Sequence, residues 1–176
     1  MTMKTLKGNS LSEPNNVLFR IKRGLAGYIS YLAACEMNES FSEYVLYEPI
    51  LRILTAQGYI VKCEVPCPGI QQPQHGDRKR LDFTASKDGI TFAMEVKWVR
   101  DSRPDLDRDL EKLTAYRQHK RTSRAFFCVF GRKSHIADIQ LPTDVLKERG
   151  DPVFAEFINT RFGCRIYEVV ETRGAA

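Results

Sequence analysis

The sequence predicts an α/β domain: a central mixed β-sheet flanked by α-helices. Three observations carry that prediction. A β-hairpin signal spans Arg80–Trp98, with Asp88-Gly89 as a two-residue turn between two alternating runs. Amphipathic helical spacing precedes and follows it. The almost wholly apolar stretch Ala125–Phe130 then reads as a strand buried on both faces. A helix between the last hairpin strand and that buried strand implies a crossover, and hence a sheet that is not purely antiparallel.

In chain order, residues 1–14 read as a flexible tail and 15–173 as a single domain. Val17–Met37 carries apolar residues at helical spacing (Val17, Leu18, Ile21, Leu25, Tyr28, Leu32), with Gly24 and Gly27 marking a weakness or a close packing contact. Asn38-Glu39-Ser40 ends it. A second helix is predicted from Phe41 to Gln57, capped by Ser40 or Ser42 and stopped by Gly58, with Pro49 an awkward interior residue. Tyr59–Val65 reads as a strand. Cys67–Asp77 holds Pro68, Gly69, Pro73 and Gly76 and reads as a loop. After the hairpin, Pro104–Lys120 is predicted helical, with Leu106, Leu110, Leu113 and Tyr116 (or Arg117) on one side. Val145–Thr160 is predicted as a helix broken at Gly150-Asp151-Pro152, and Cys164–Val170 as the last strand.

Composition bounds the class. The 176 residues are 43% apolar and 28% charged, ordinary for a globular protein. No apolar run approaches the roughly 20 residues of a membrane span, and Met1–Asn16 lacks a signal-peptide apolar region, so the expectation is a cytoplasmic protein. The five cysteines are odd in number and irregular in spacing, so they are expected to be reduced, and most of them buried. A zinc site at Cys63, Cys67 and His75 is rejected for want of a second ligand pair. Asp105, Asp107 and Asp109 mimic the start of an EF-hand loop, but Leu110 stands where glycine is needed and Tyr116 where glutamate is needed. The net charge of +5 permits a polyanionic partner without requiring one.

Turn geometry sets the hairpin register. Centred on Asp88-Gly89, it places Leu81 opposite Val96, Phe83 opposite Met94 and Ala85 opposite Phe92, giving one apolar face. Asp82 then lies opposite Glu95, with Lys97 two residues along on the same side. Facing carboxylates repel, and a metal ion between them would explain their presence. Mg²⁺ takes hard oxygen ligands, often one or two carboxylates, and keeps water in its other positions. Asp82 and Glu95 would be those ligands, with the Val96 carbonyl a further one. Lys97 would orient or deprotonate the attacking water, or stabilise charge on a phosphate. The plain alternative is a solvated hairpin face with a Glu–Lys diagonal pair.

Asp82, a spacer of about a dozen residues through a hairpin turn, and Glu95-Val96-Lys97 together resemble the PD-(D/E)XK nuclease superfamily, the restriction-endonuclease-like fold. The neighbouring elements extend the resemblance over roughly residues 41–132: a glutamate-bearing helix and short strand before the motif, and after it the helix Asp109–Tyr116 and the strand Phe126–Phe130. Leu81 departs from the pattern, standing where the motif has proline. The resemblance implies a Mg²⁺- or Mn²⁺-dependent nuclease, DNA as the nucleic-acid partner, and a catalytic domain of a kind that often forms homodimers. It also implies a metal-binding glutamate on the preceding helix. Glu43 shares a helical face with Leu46, Tyr47, Ile50 and Leu54 and is favoured; Glu48 is the alternative. Arg78, Lys79, Arg80, Lys112 and Tyr116 are candidate nucleic-acid contacts. Two other functions compete: an RNA-directed nuclease, and an inactive nucleic-acid-binding or protein-interaction module on the same fold.

Overall fold

The computed structural model describes residues 14–37, 42–101, 103–157 and 160–170. Four helices and seven strands alternate through them: α1 (Asn15–Ala34), α2 (Glu43–Ala56), β1 (Ile60–Pro66), β2 (Arg80–Lys87), β3 (Ile90–Val99), α3 (Asp107–His119), β4 (Arg124–Arg132), α4 (Lys133–Ala137), β5 (Leu146–Glu148), β6 (Val153–Phe157) and β7 (Thr160–Val169). The strands form one mixed sheet in the order β1-β2-β3-β4-β7-β5, and β6 also pairs with β7. Only the β3–β4 pairing is parallel among those described, because α3 carries the chain back across the sheet between them.

Helices cover both faces. On one, α1 and α2 bury Ile21, Leu25, Leu46 and Ile50 against Phe83, Phe92, Phe126 and Phe130. On the other, Leu113 and Tyr116 of α3 and Ile136 of α4 pack over Ala93, Phe127, Val129 and Tyr167. β4 serves both cores, so Ala125–Phe130 is buried throughout, as its unbroken apolar run requires. Trp98 stacks edge-on against Phe130, on the α1–α2 side. The α1–α2 contact is close at Gly24, where an added Cβ would lie 2.5 Å from Ile53 Cδ1. Pro49 sits inside α2 without ending it, leaving Val45 O without its usual helical donor.

The hairpin turn is as expected. Asp88 and Gly89 both take positive φ, 48° and 79°, which fits a type I′ turn. Phe83↔Met94 and Ala85↔Phe92 are in register. Leu81 departs from the expectation: it belongs to the α3-side core with Cys67 and Ala93, whereas Phe83, Ala85 and Val96 belong to the other. The β2–β3 ladder has ended by then, at Phe83↔Met94, and Leu81 is held on one side only, by Val65 of β1.

Over its described residues, the segment predicted as a broken helix over 145–160 holds two short strands and the first residue of β7. β5 and β6 lie on the outer edge of β7, joined through Gly150 (φ 66°) and Pro152. Buried Lys22 of α1 donates to Arg149 O at 2.8 Å and Asp151 O at 2.6 Å, which pins this corner. An open strand edge supplied the partners that decided the conformation. The five-residue helix α4 lies in a stretch for which no helix was predicted. Cys35 is exposed, not buried, as is Cys63. Among the described residues, no helix is long and apolar enough to cross a membrane.

Candidate active site

The site forms where β2 and β3 stop pairing. Backbone register runs from Lys87↔Ile90 to Phe83↔Met94 and no further. At the next step side chains replace the ladder: Val96 N–H donates to Asp82 Oδ2 at 2.8 Å, and Asp82 N–H donates to Glu95 Oε1 at 3.2 Å. The two carboxylates thus satisfy backbone donors that strand pairing would otherwise have used. Asp82 also lacks a partner on its other side. Cys63↔Phe83 and Val65↔Leu81 pair, but the intervening Glu64 and Asp82 do not, and Glu64 has a left-handed backbone (φ 51°). Such conformations are uncommon for a non-glycine residue.

Burial makes this pair electrostatically costly. Glu95 is only 1% exposed. Burial, and then the neighbouring Asp82, push its carboxyl well above the ordinary range, while Lys112 opposes the shift. Burial raises Asp82 too, against hydrogen bonds from the Tyr47 hydroxyl and the Val96 N–H that favour its charged form. Tyr47, delivered by α2, has its own hydroxyl pushed up by burial and by Asp82. Its ring packs edge-on against Phe83, 4.6 Å between centroids.

α3 lies over the pair and supplies two charges. Lys112 Nζ contacts Glu95 Oε2 and lies 3.1 Å from Asp109 Oδ1. Burial alone would lower the Lys112 pKa, but the two carboxylates outweigh it and raise it. Asp109 Oδ2 also reaches Lys97 Nζ, at 3.3 Å. Lys97 therefore lies near the carboxylates on their face of β3, as expected, but it is engaged by Asp109.

A cleft of about 600 Å³ opens over these groups. Asp82, Glu95, Val96, Asp109 and Lys112 line it together with Tyr47 and Glu64, while Arg78, Lys79, Arg80 and Arg108 add positive charge. The predicted basic run therefore does reach the carboxylates. Gln72 helps hold it, accepting from Lys79 N–H at 2.9 Å and donating to Lys79 O at 3.0 Å. Lys79 also pairs with Glu111 at 2.8 Å.

One expectation changes, and two weaker alternatives fall away. Tyr116 is 4% exposed in the α3-side core and hydrogen-bonds Ser123, so it is a packing residue and not a nucleic-acid contact. Helical phase decides this, since Leu113 and Tyr116 point to the sheet. Glu48 is exposed and paired with Arg52, away from the cleft, so it is not the helix carboxylate of this site. Cys63 is exposed while Cys67 is buried and its thiol donates to Lys112 O at 3.3 Å, so the two do not form half of a zinc site. Glu43 is the first residue of α2, four before Tyr47, but its side chain lies outside the described residues.

Sequence reasoning missed Tyr47 and Asp109 as members of the site; Glu64, which reads from the sequence as a strand-end residue with a structural or supporting part, lines it as well. Tyr47 had a signal: it shares the sheet-facing side of α2 with Leu46 and Ile50. Asp109 had none, because its role depends on where α3 sits over β3. Each carboxylate of the pair uses one oxygen on a backbone N–H, and Glu95 Oε2 meets the Lys112 ammonium. Two such hard donors suit Mg²⁺ or Mn²⁺, which need only one or two carboxylates beside water. Among the described residues, no group of three or more His, Cys, Asp or Glu side chains is placed to hold a metal ion. No family model, curated protein or solved structure matches this chain.

Proposed function

We propose that the protein is a metal-dependent nuclease of the PD-(D/E)XK type that hydrolyses phosphodiester bonds, with DNA as substrate. The observation that carries this reading is the buried Asp82–Glu95 pair, set where the β2–β3 ladder ends and opening into a cleft with basic residues along it. The order α2-β1-β2-β3-α3-β4, with β3 and β4 parallel, supports it, since it is the element order the motif resemblance implies.

Asp82 and Glu95 would hold Mg²⁺ or Mn²⁺, with the Val96 carbonyl as a further candidate ligand. Bound there, the ion supplies Lewis acidity and a water of lowered pKa. The chain's own residues do the rest. Arg78, Arg80 and Arg108 hold the polyanion by charge. Backbone N–H donors fix both carboxylates, so they need no reorganisation during reaction. A lysine ammonium offsets the charge that grows on the phosphate. In the hydrolysis a water oxygen bonds to phosphorus and the bond to the leaving oxygen breaks. The water's proton is released to solvent and the leaving oxygen takes one up.

The test is cleavage of labelled DNA and RNA with Mn²⁺ by wild type, Asp82→Ala and Lys97→Ala. The reading predicts DNA cleavage by wild type and a loss of at least 100-fold in Asp82→Ala. Preference for RNA would move the substrate. Equal rates in all three proteins would remove the catalytic assignment. Oligonucleotide binding without metal binding or cleavage would indicate an inactive binding module.

A further inference from the structure

Two lysines flank the carboxylate pair, and the structure treats them differently. Glu95 and Lys97 are two residues apart on β3, so their side chains share a face about 7 Å apart along the strand. Lys97 Nζ does not lie on Glu95; its ion pair is with Asp109 Oδ2, 3.3 Å away, and Lys97 is not among the residues lining the cleft. Lys112 reaches down from α3, touches Glu95 Oε2, and does line it. Its side chain is 14% exposed, so most of its hydration is already removed. A positive charge in such a setting acts on a phosphate more strongly than a surface lysine does.

The backbone beneath Lys112 is also fixed. Its carbonyl accepts the buried Cys67 thiol at 3.3 Å. Leu113 and Tyr116, next along α3, are buried against the sheet. One turn before, Asp109 binds Lys112 with Oδ1 and Lys97 with Oδ2, and so ties the two ammonium groups together.

We propose that Lys112 is the catalytic cation that touches the substrate phosphate, and that Lys97 is a positioning residue acting through Asp109. This rests on the nuclease reading and assigns a role that the Glu-x-Lys pattern alone would give to Lys97. One consequence is independent of turnover. Lys112 competes with any cation for Glu95 Oε2, so removing it leaves Mn²⁺ binding unchanged or tighter. A residue needed only to hold the site together would weaken binding when removed.

The experiment compares full-length wild type, Lys112→Gln, Lys112→Arg, Lys97→Gln and Asp109→Asn. Mn²⁺ affinity is measured by calorimetry. Binding of a fluorescein-labelled DNA oligonucleotide is measured in Ca²⁺, and cleavage in Mn²⁺. For Lys112→Gln the expectation is Mn²⁺ affinity at or above wild type, oligonucleotide affinity at least tenfold lower and kcat at least 100-fold lower. Lys112→Arg keeps the charge and recovers binding with kcat still reduced, and it carries the test if the glutamine variant does not fold. Lys97→Gln and Asp109→Asn lose less than tenfold in oligonucleotide affinity. Wild-type binding and rate in Lys112→Gln, with both lost in Lys97→Gln, would overturn the assignment while leaving the nuclease reading intact. Lys112-dependent binding without cleavage of DNA or RNA would overturn the nuclease reading and keep the contact. A wild type that binds no oligonucleotide would overturn both.

Discussion

Replacing Lys112 with methionine removes the ammonium in contact with a carboxylate that is 1% exposed, while keeping most of the side chain's volume. Asp109 keeps a partner in Lys97, 3.3 Å away, so the loss falls mainly on Glu95. A buried carboxylate stripped of its partner destabilises the fold by roughly 3–5 kcal/mol. Protonation offers Glu95 an escape. Burial and Asp82 hold its carboxyl up at about 9 even with Lys112 beside it, so at pH 7 the metal-free fold already keeps Glu95 mostly neutral. The loss in Lys112→Met should therefore be about 1 kcal/mol or less at pH 7 and grow above pH 9 by up to about 1.4 kcal/mol for each pH unit. Urea denaturation of metal-free wild type, Lys112→Met and Lys112→Met/Glu95→Gln at pH 7 and pH 10 measures it. The double variant should remove the growth with pH. A loss equal at the two pH values, or growth that persists in the double variant, would refute the ion-pair reasoning.

Three further outcomes are expected. Glu95 has a folded-state pKa above its unfolded value, so the native state binds more protons between the two. Metal-free stability should therefore fall as pH rises from about 4.5 to 8, and Glu95→Gln should flatten that slope in thermal unfolding. Tyr47→Phe removes a donor that favours ionised Asp82, so its Mn²⁺ affinity by calorimetry should drop several-fold at pH 6.5 and recover towards pH 8.5. Lys22→Met leaves the carbonyls of Arg149 and Asp151 without their donor and should destabilise by about 2–4 kcal/mol in urea without changing Mn²⁺ affinity.

What could be read in advance was local. Asp88-Gly89 specifies its own turn, and period-two alternation carries the register from there to Phe83 and Met94. That was enough to bring Asp82 and Glu95 together. Val145–Thr160 was misread because its short apolar runs satisfy either period, and the edge of β7 that captures them comes later in the chain. The lysines show the same limit. Lys97 could be placed beside Glu95 by counting along one strand. Lys112 reaches Glu95 because α3 crosses above β3, and Leu113 and Tyr116 set the height and rotation of that crossing. Leu81 shows where that reach ends: alternation puts it in the wrong core, because the β2–β3 ladder stops at Phe83, one residue short of Asp82.

The central claim is that Asp82 and Glu95 form a divalent-cation site within a phosphodiesterase. A crystal of the protein soaked with Mn²⁺, with data collected at the manganese absorption edge, tests it most directly. The account predicts an anomalous peak between the two carboxylates, in the gap beyond Phe83 and Met94, with Lys112 Nζ moved off Glu95 Oε2. A soaked crystal with no peak there and the Lys112–Glu95 contact intact would contradict it.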